Sequence, residues 1–280
     1  MVKVKIVTDS TADMSAEELE EYGVTMVPLS ITIDGETFLD KVDMFPEEFI
    51  TRMKSASDLP KSSQPPAGKF VEVYEELAKD GSEIISIHMT GGMSGTVRSA
   101  ESAATMTEAK VTVFDSKFIS KALSFQVIEA AKMAASGKST AEIIKRLEEI
   151  RRNSTLYIAI DTLENLVKGG RIGKAAGFIG SLLNIKPIAR LEDGVLNQAL
   201  KARSQSQIVK LLLKQFMEDT KGKEILGVGI AHVNGQELAN KLKQAIIDNS
   251  GFQNVEVVFT TPVISTHAGP GAVGFMYYSK

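Results

Sequence analysis

Four short segments of this sequence hold side chains that could act together on one ligand. Lys61-Ser62-Ser63-Gln64-Pro65-Pro66 places two hydroxyls and an amide in a proline-stiffened turn. Gly91-Gly92-Met93-Ser94-Gly95-Thr96 joins a strand pattern to a helix pattern, and its glycines allow close backbone approach. Thr266-His267-Ala268-Gly269-Pro270-Gly271 puts one histidine in a glycine-rich turn, free to aim at a ligand. Lys168-Gly169-Gly170-Arg171, with Lys186 and Arg203, supplies cations around the apolar, small-residue stretch Ala175 to Ile188. Hydroxyls, an imidazole and the free N–H groups of a helix N-terminus suit a carboxylate or phosphate oxygen. Each feature also has a plain structural role: Ser94 as a cap, Ser62 and Ser63 in a turn, the cations as a solvated helix end. Spacing alone does not choose between these roles.

Several sharper motifs fail on context. Gly269 to Gly274 matches the dinucleotide fingerprint, but only Phe275 to Lys280 follow it, so no helix can open there. Gly169 to Ala175 is one residue short of a phosphate loop, and alanine stands where the magnesium-binding hydroxyl belongs. Gly137-Lys138-Ser139-Thr140 reads as a helix end followed by a Ser139/Glu142 capping box. A hydrolase reading makes Ser94 the nucleophile and His267 its base, oriented by Asp115 or Asp161, although the glycine after Ser94 comes one place too early for a nucleophile elbow. The three histidines, at 88, 232 and 267, lack metal-ligand spacing, and no cysteine is present. His88 and His232 end strands and read as structural. No metal or cofactor is expected.

The elements that must position these residues follow from hydrophobic periodicity. Strand patterns at Val4–Asp9, Ile84–His88 and Val111–Phe114 are short and apolar, as in a parallel sheet covered on both faces. Helix patterns fall at Ser15–Tyr22, Pro46–Lys54, Gly68–Lys79, Ser94–Met106, Ser120–Ala135 and Thr140–Arg152. Met26 to Ile33 reads as one extended run, and Ser57 to Ala67 as turn. Past Ser154 the texture changes. Strands at Leu156–Ile160, Ile225–His232, Val255–Phe259 and Ala272–Tyr278, helices at Gln205–Met217 and Glu237–Asp248, and a hairpin around Asp193-Gly194 make a mixed sheet. The expected fold is α/β in two domains: an N-terminal parallel-sheet domain over 1–153 and a C-terminal mixed-sheet domain over 154–280.

Composition bounds the function. The 280 residues lie where single cores stop growing, about 250–300 residues. Net charge is −3 with scattered basic residues, which speaks against nucleic-acid binding. No window approaches the roughly 18 apolar residues of a membrane span, and Met1 to Val7 runs into a strand rather than a signal peptide. The expectation is a cytoplasmic protein without integral membrane association.

Taken together, these segments resemble the DegV family, which includes the fatty-acid-binding subunits of bacterial fatty acid kinase. The resemblance runs end to end, through Ile6-Val7-Thr8-Asp9-Ser10-Thr11, Ser62-Ser63-Gln64-Pro65, Ser94-Gly95-Thr96, Val113-Phe114-Asp115-Ser116, Lys168-Gly169-Gly170-Arg171, Lys186-Pro187 and His267-Ala268-Gly269-Pro270-Gly271. It implies a long-chain fatty acid in an interior tunnel of the second domain, with its carboxylate held between the domains. Ser62, Ser94 and His267 would contact that carboxylate, with Ser63 and Gly95 beside them. Ser62 stands where the family commonly has threonine, so a hydroxyl is kept. Arg171 and Arg203 match positions tied to docking of a kinase subunit that supplies ATP. The resemblance implies a carrier, monomeric when free, with no turnover of its own. Two other readings stay open: a Ser94-dependent lipid esterase and a lipid-sensing regulator.

Overall fold

A computed structural model describes residues 3–178 and 185–280. In its first half the chain runs β1 (Val4–Asp9), α1 (Ala16–Glu21), β2 (Val24–Val27), β3 (Ser30–Ile33), β4 (Glu36–Leu39), α2 (Pro46–Ser55), β5 (Lys61–Ser63), α3 (Ala67–Ala78), β6 (Glu83–His88), α4 (Thr96–Thr105), β7 (Val111–Asp115), α5 (Ser120–Ala135) and α6 (Thr140–Asn153). Four of these strands form a parallel sheet in the order β2-β1-β6-β7. The order reverses between β1 and β6, and the loops leaving their carboxyl ends therefore border the crevice where open α/β sheets bind ligands. One of those loops carries Ser94.

The extended run read over Met26–Ile33 is instead two strands in two sheets. Pro28 separates them, β2 joining the parallel sheet and β3 a small antiparallel sheet of order β4-β3-β5. The turn read over Ser57–Ala67 holds β5, which pairs Ser62 with Ile31 and Ser63 with Ser30. Side chains alternate along a strand, so Ser62 and Ser63 face opposite sides.

The second half continues as β8 (Ser154–Ala159), α7 (Glu164–Lys168), β9 (Lys186–Glu192), β10 (Val195–Ala202), α8 (Gln205–Asp219), β11 (Ile225–His232), α9 (Gln236–Ser250), β12 (Val255–Phe259), α10 (Pro262–Ala268) and β13 (Val273–Ser279). Its six-stranded mixed sheet has the order β10-β9-β8-β13-β11-β12. The β9–β10 hairpin turns through Asp193 and Gly194 at φ 50° and 81°, the left-handed pair that an Asp-Gly loop provides. Ser139 and Glu142 form the capping box read from the sequence.

Alternation sorts the mixed sheet's side chains. Phe275 and Tyr277 pack with Phe216, Leu212 and Leu242 beneath α8 and α9. Met276, with Leu156, Ile158 and Ala231, joins a cluster on the other face that also contains Ile6, Leu29, Ile31, Phe49, Ile87 and Leu123. One apolar core thus draws on both halves of the chain. Helix α5 runs through its middle, touching β1 and β6 as well as β8, β11 and β13. Burial around most of its circumference explains a helix that lacks a clean polar face.

Candidate functional site

Three separate elements bring the chemistry together. The first is the loop after β6. Ser94 precedes α4, its Oγ accepting the Thr96 N–H at 3.3 Å and lying 2.8 Å from Thr96 Oγ1. The residue at the cap position is Gly95, where a Cβ would come within 2.5 Å of the Gln64 amide, so only glycine lets that side chain lie against the loop. The second element is β5, which supplies Ser62 and leads to Gln64.

The third is α10. The sequence reading places His267 in a turn, and the structure places it on the last turn of this helix. Thr261 caps α10 by accepting the Ile264 N–H at 3.3 Å, and Pro262 occupies the first helical position, a strong start signal. The helix packs on α2, β3, β5 and α7. That docking sets His267 Nε2 2.7 Å from Ser62 Oγ. A Cβ at Gly169 would fall 2.4 Å from His267 Nδ1, so glycine is required for the ring to lie where it does. Asn165 ties the region together, its amide donating to Thr266 O at 2.9 Å.

His267 Nδ1 is buried and has no hydrogen-bond partner among the described residues. Burial first, and the Arg171 charge second, lower the His267 pKa to about 4. The imidazole is therefore neutral near pH 7. Arg171 spans two of the loops, donating from Nε to Met93 O at 3.0 Å and from a terminal nitrogen to Gly169 O at 2.6 Å.

These groups line one cavity. About 700 Å³ of space free of protein atoms, part of it open to solvent, is bounded by Ser62, Gln64, Ser94, Arg171 and His267 at polar positions. Leu29, Met89, Met93, Ile119, Ile158, Leu166, Leu196, Val263, Ile264 and Ala268 make the rest. A second, smaller space of about 320 Å³ shares Ile119, Ile158, Ile264 and Ala268 with the first and continues over Leu156, Ala231, Val233 and Met276. The arrangement is an apolar chamber with hydrogen-bonding groups in its wall, where Ser62 meets His267 and Arg171 links Met93 O to Gly169 O.

The hairpin closes one wall. Leu196 of β10 lines the cavity, and the tip docks on the β6–α4 loop, where Thr90 Oγ1 donates to Gly194 O at 3.0 Å. A side chain at Gly194 would strike Thr90 Oγ1 at 2.1 Å.

The structure gathers some of the expected residues and not others. Ser62, Ser94 and His267 line the cavity, and Gly95 adjoins it. Ser63 is exposed on the opposite side of β5 and does not line it, because the strand period of two turns it away. Arg203 is an exposed residue between β10 and α8, its N–H donating to Gln207 Oε1 at 2.8 Å. Arg171, expected to serve docking, stands in the cavity wall. Of the expected ligand wall Ala175 to Ile188, residues 179–184 lie outside the described residues. Asp115 and Asp161 do not orient His267: Asp115 pairs with Lys117, and Asp161 with Lys186. No group of three or more His, Cys, Asp or Glu side chains is arranged to hold a metal among the described residues. No helix among them is long and apolar enough to cross a membrane. The Gln64 amide, picked out with its turn, does line the cavity, whereas Asn165, Met89 and Met93 had no distinguishing signal in the sequence.

Comparison with known proteins points one way. A family model described as "Uncharacterised protein, DegV family" matches residues 3–280. The DegV domain-containing protein SA1258 of Staphylococcus aureus is 45% identical over 280 residues, covering 100% of both chains. A fatty-acid-binding DegV family protein from Thermus thermophilus superimposes with a TM-score of 0.94 at 32% identity, over 100% of both chains. DegV of Bacillus subtilis, described as a fatty acid binding protein, gives 0.91 at 34%, again over 100% of each.

Proposed function

This chain belongs to the DegV family, and on that premise we propose that it carries a long-chain fatty acid and presents its carboxylate to a partner ATP-dependent kinase. The observation that carries the reading is the apolar cavity whose wall includes Ser62, Ser94 and His267. The tail lies against Leu29, Met89, Ile119, Ile158 and Leu196. The carboxylate accepts hydrogen bonds from the two hydroxyls and from the imidazole N–H. Arg171 adds a positive charge within the same wall. In this reading residues 1–153 and 154–280 act as two units that meet around the ligand.

Magnitudes assign the roles. Burying about fifteen methylenes yields roughly 12 kcal/mol gross at ~0.8 kcal/mol each. Association and ordering consume several kcal/mol of that. Each hydrogen bond to the charged head contributes only about 1.5–3 kcal/mol net. The tail therefore supplies most of the affinity, and the head contacts fix orientation. The kinase then transfers a phosphoryl group to the oriented carboxylate, giving an acyl phosphate that this chain holds in line and shields from water. Arg203, exposed beside α8, is the docking contact in this scheme. The carrier has no turnover alone.

Two features weigh against the esterase reading. His267 pairs with Ser62 rather than Ser94, and no carboxylate among the described residues orients its Nδ1. Native mass spectrometry of the purified protein, with extraction and identification of bound lipid, tests the proposal. One long-chain fatty acid per chain is the expected result. A protein that is empty and does not take up added fatty acid overturns it.

A further inference from the structure

The turn that follows β1, Asp9-Ser10-Thr11-Ala12-Asp13, contributes nothing to the lining of either cavity. Its two acids nevertheless reach the backbone on both sides of the head-group site. Asp9 fixes the turn itself, Oδ1 accepting from the Thr11 N–H at 3.0 Å and the Thr11 hydroxyl at 2.6 Å. Its other oxygen accepts the Met89 N–H at 2.8 Å and lies 3.1 Å from His88 Nδ1. Met89 begins the loop that carries Ser94.

Asp13 does the same for α10. It accepts the Thr261 N–H at 3.0 Å and the Thr260 hydroxyl at 2.8 Å, and the Ser120 hydroxyl also donates to it. Thr261 caps the helix that carries His267. Asp9 is fully buried and Asp13 is 5% exposed, so water does not compete for these bonds. Asp13 also adopts φ 51° and ψ 33°, a left-handed conformation that Asp and Asn tolerate and most residues do not.

We propose that this turn is the positioning device of the site: Asp9 sets the Ser94 loop, Asp13 sets the His267 helix, and one rigid turn thereby fixes the separation of the two. The inference rests on the fatty-acid reading for its ligand, but not for its geometry. Asp9 and Asp13 are positioning residues, since neither lines the space the ligand fills. Local strain at Asp13 fits such a role, because strained backbone persists where surrounding contacts over-determine it.

The test compares palmitic acid with hexadecanol, which shares the tail and lacks the carboxylate. Dissociation constants for both are measured on the wild type, on Asp13→Asn and on Thr260→Val. Asn keeps one acceptor oxygen and suits the backbone, whereas Val puts a methyl in place of the hydroxyl that donates to Asp13; Thr260 also lines the smaller space, where the change meets the tail that both ligands share. The expected result is that Asp13→Asn reduces the preference for acid over alcohol by about tenfold, the worth of one displaced charge-assisted hydrogen bond. Thr260→Val shifts it in the same direction by less. Equal weakening of both ligands, or no change in either, overturns the proposal. If Asp13→Asn does not fold, Thr260→Val decides. If the wild type takes up no palmitic acid, the fatty-acid reading fails on its own. The positioning claim is then judged from the His267 ring resonances, which move in the variants if it is right and stay in place if it is wrong.

Discussion

Replacing Asp40 with asparagine should stabilise this protein at alkaline pH and not at acid pH. Asp40 follows β4 and is wholly buried. One carboxyl oxygen accepts the Val263 N–H at 3.4 Å, and the other has no partner among the described residues. Burial raises its pKa from 3.8 to about 7, opposed by the Ser10 hydroxyl, the Val263 N–H and Lys41. The sign is the reverse of the usual carboxylate case. Between those two pKa values the folded chain keeps a proton that the unfolded chain has released, so stability falls as pH rises through that window. From pH 5 to pH 8 the loss attributable to this group is on the order of 2–3 kcal/mol, taking 1.36 kcal/mol per pKa unit. Asparagine retains an acceptor for Val263 and has no charge to bury. The gap between Asp40→Asn and the wild type should therefore widen by about that amount over the same range. In urea unfolding followed by circular dichroism, a slope near 3 kcal/mol per molar turns this into a midpoint shift of roughly 0.7–1 M. His267 titrates in both proteins and cancels in the difference. A gap that stays constant with pH refutes the reasoning.

Three more outcomes are expected. Gly169→Ala brings a Cβ within 2.4 Å of His267 Nδ1 and 2.8 Å of Asn165 O, so the ring must move; fatty-acid affinity falls about tenfold in a fluorescence displacement titration. Ser62→Ala loses affinity by a similar factor while Ser63→Ala stays within about twofold, since only Ser62 faces the cavity; equal effects contradict that geometry. His267, held near 4 in the free protein, gains affinity for a proton when a carboxylate arrives beside it. Calorimetry at pH 5 in buffers of different ionisation enthalpy should therefore detect proton uptake on fatty-acid binding that disappears at pH 8.

Much of this fold was legible because local chemistry and tertiary context agree. The Ser139/Glu142 capping box, the Asp193-Gly194 hairpin and the buried strands of the parallel sheet follow from short-range rules that the rest of the molecule does not overrule. The three-stranded sheet was illegible. β5 is three residues of mostly exposed polar chain, and it is a strand only because β3 lies beside it. His267 was misplaced although Thr261-Pro262 announces a helix, because the glycines after it read as a loop that begins sooner. At the site, residue types made Ser62, Ser94 and His267 candidates and the family resemblance joined them, but neither told which neighbours hold them. Gln64 and Asn165 matter through contacts with residues far away in the chain, and periodicity does not report those.

The order of strands in the mixed sheet bears on how the chain is made. β13 stands between β8 and β11, so β10-β9-β8 and β11-β12 share no ladder until the strand nearest the end of the sequence enters between them. Pairings that span more than a hundred residues, such as Phe275 with Tyr157, are slow to form because loop closure must precede any reward. During synthesis at about 5–20 residues per second, the parallel sheet can close before these residues exist. α10 comes just ahead of β13, so the cavity wall that it forms is made after the parallel sheet. The wall of the larger cavity takes Val263, Ile264, His267 and Ala268 from α10 and nothing from β13, so that wall depends on the docking of α10 against β3 and β5 rather than on the ladder that closes the mixed sheet.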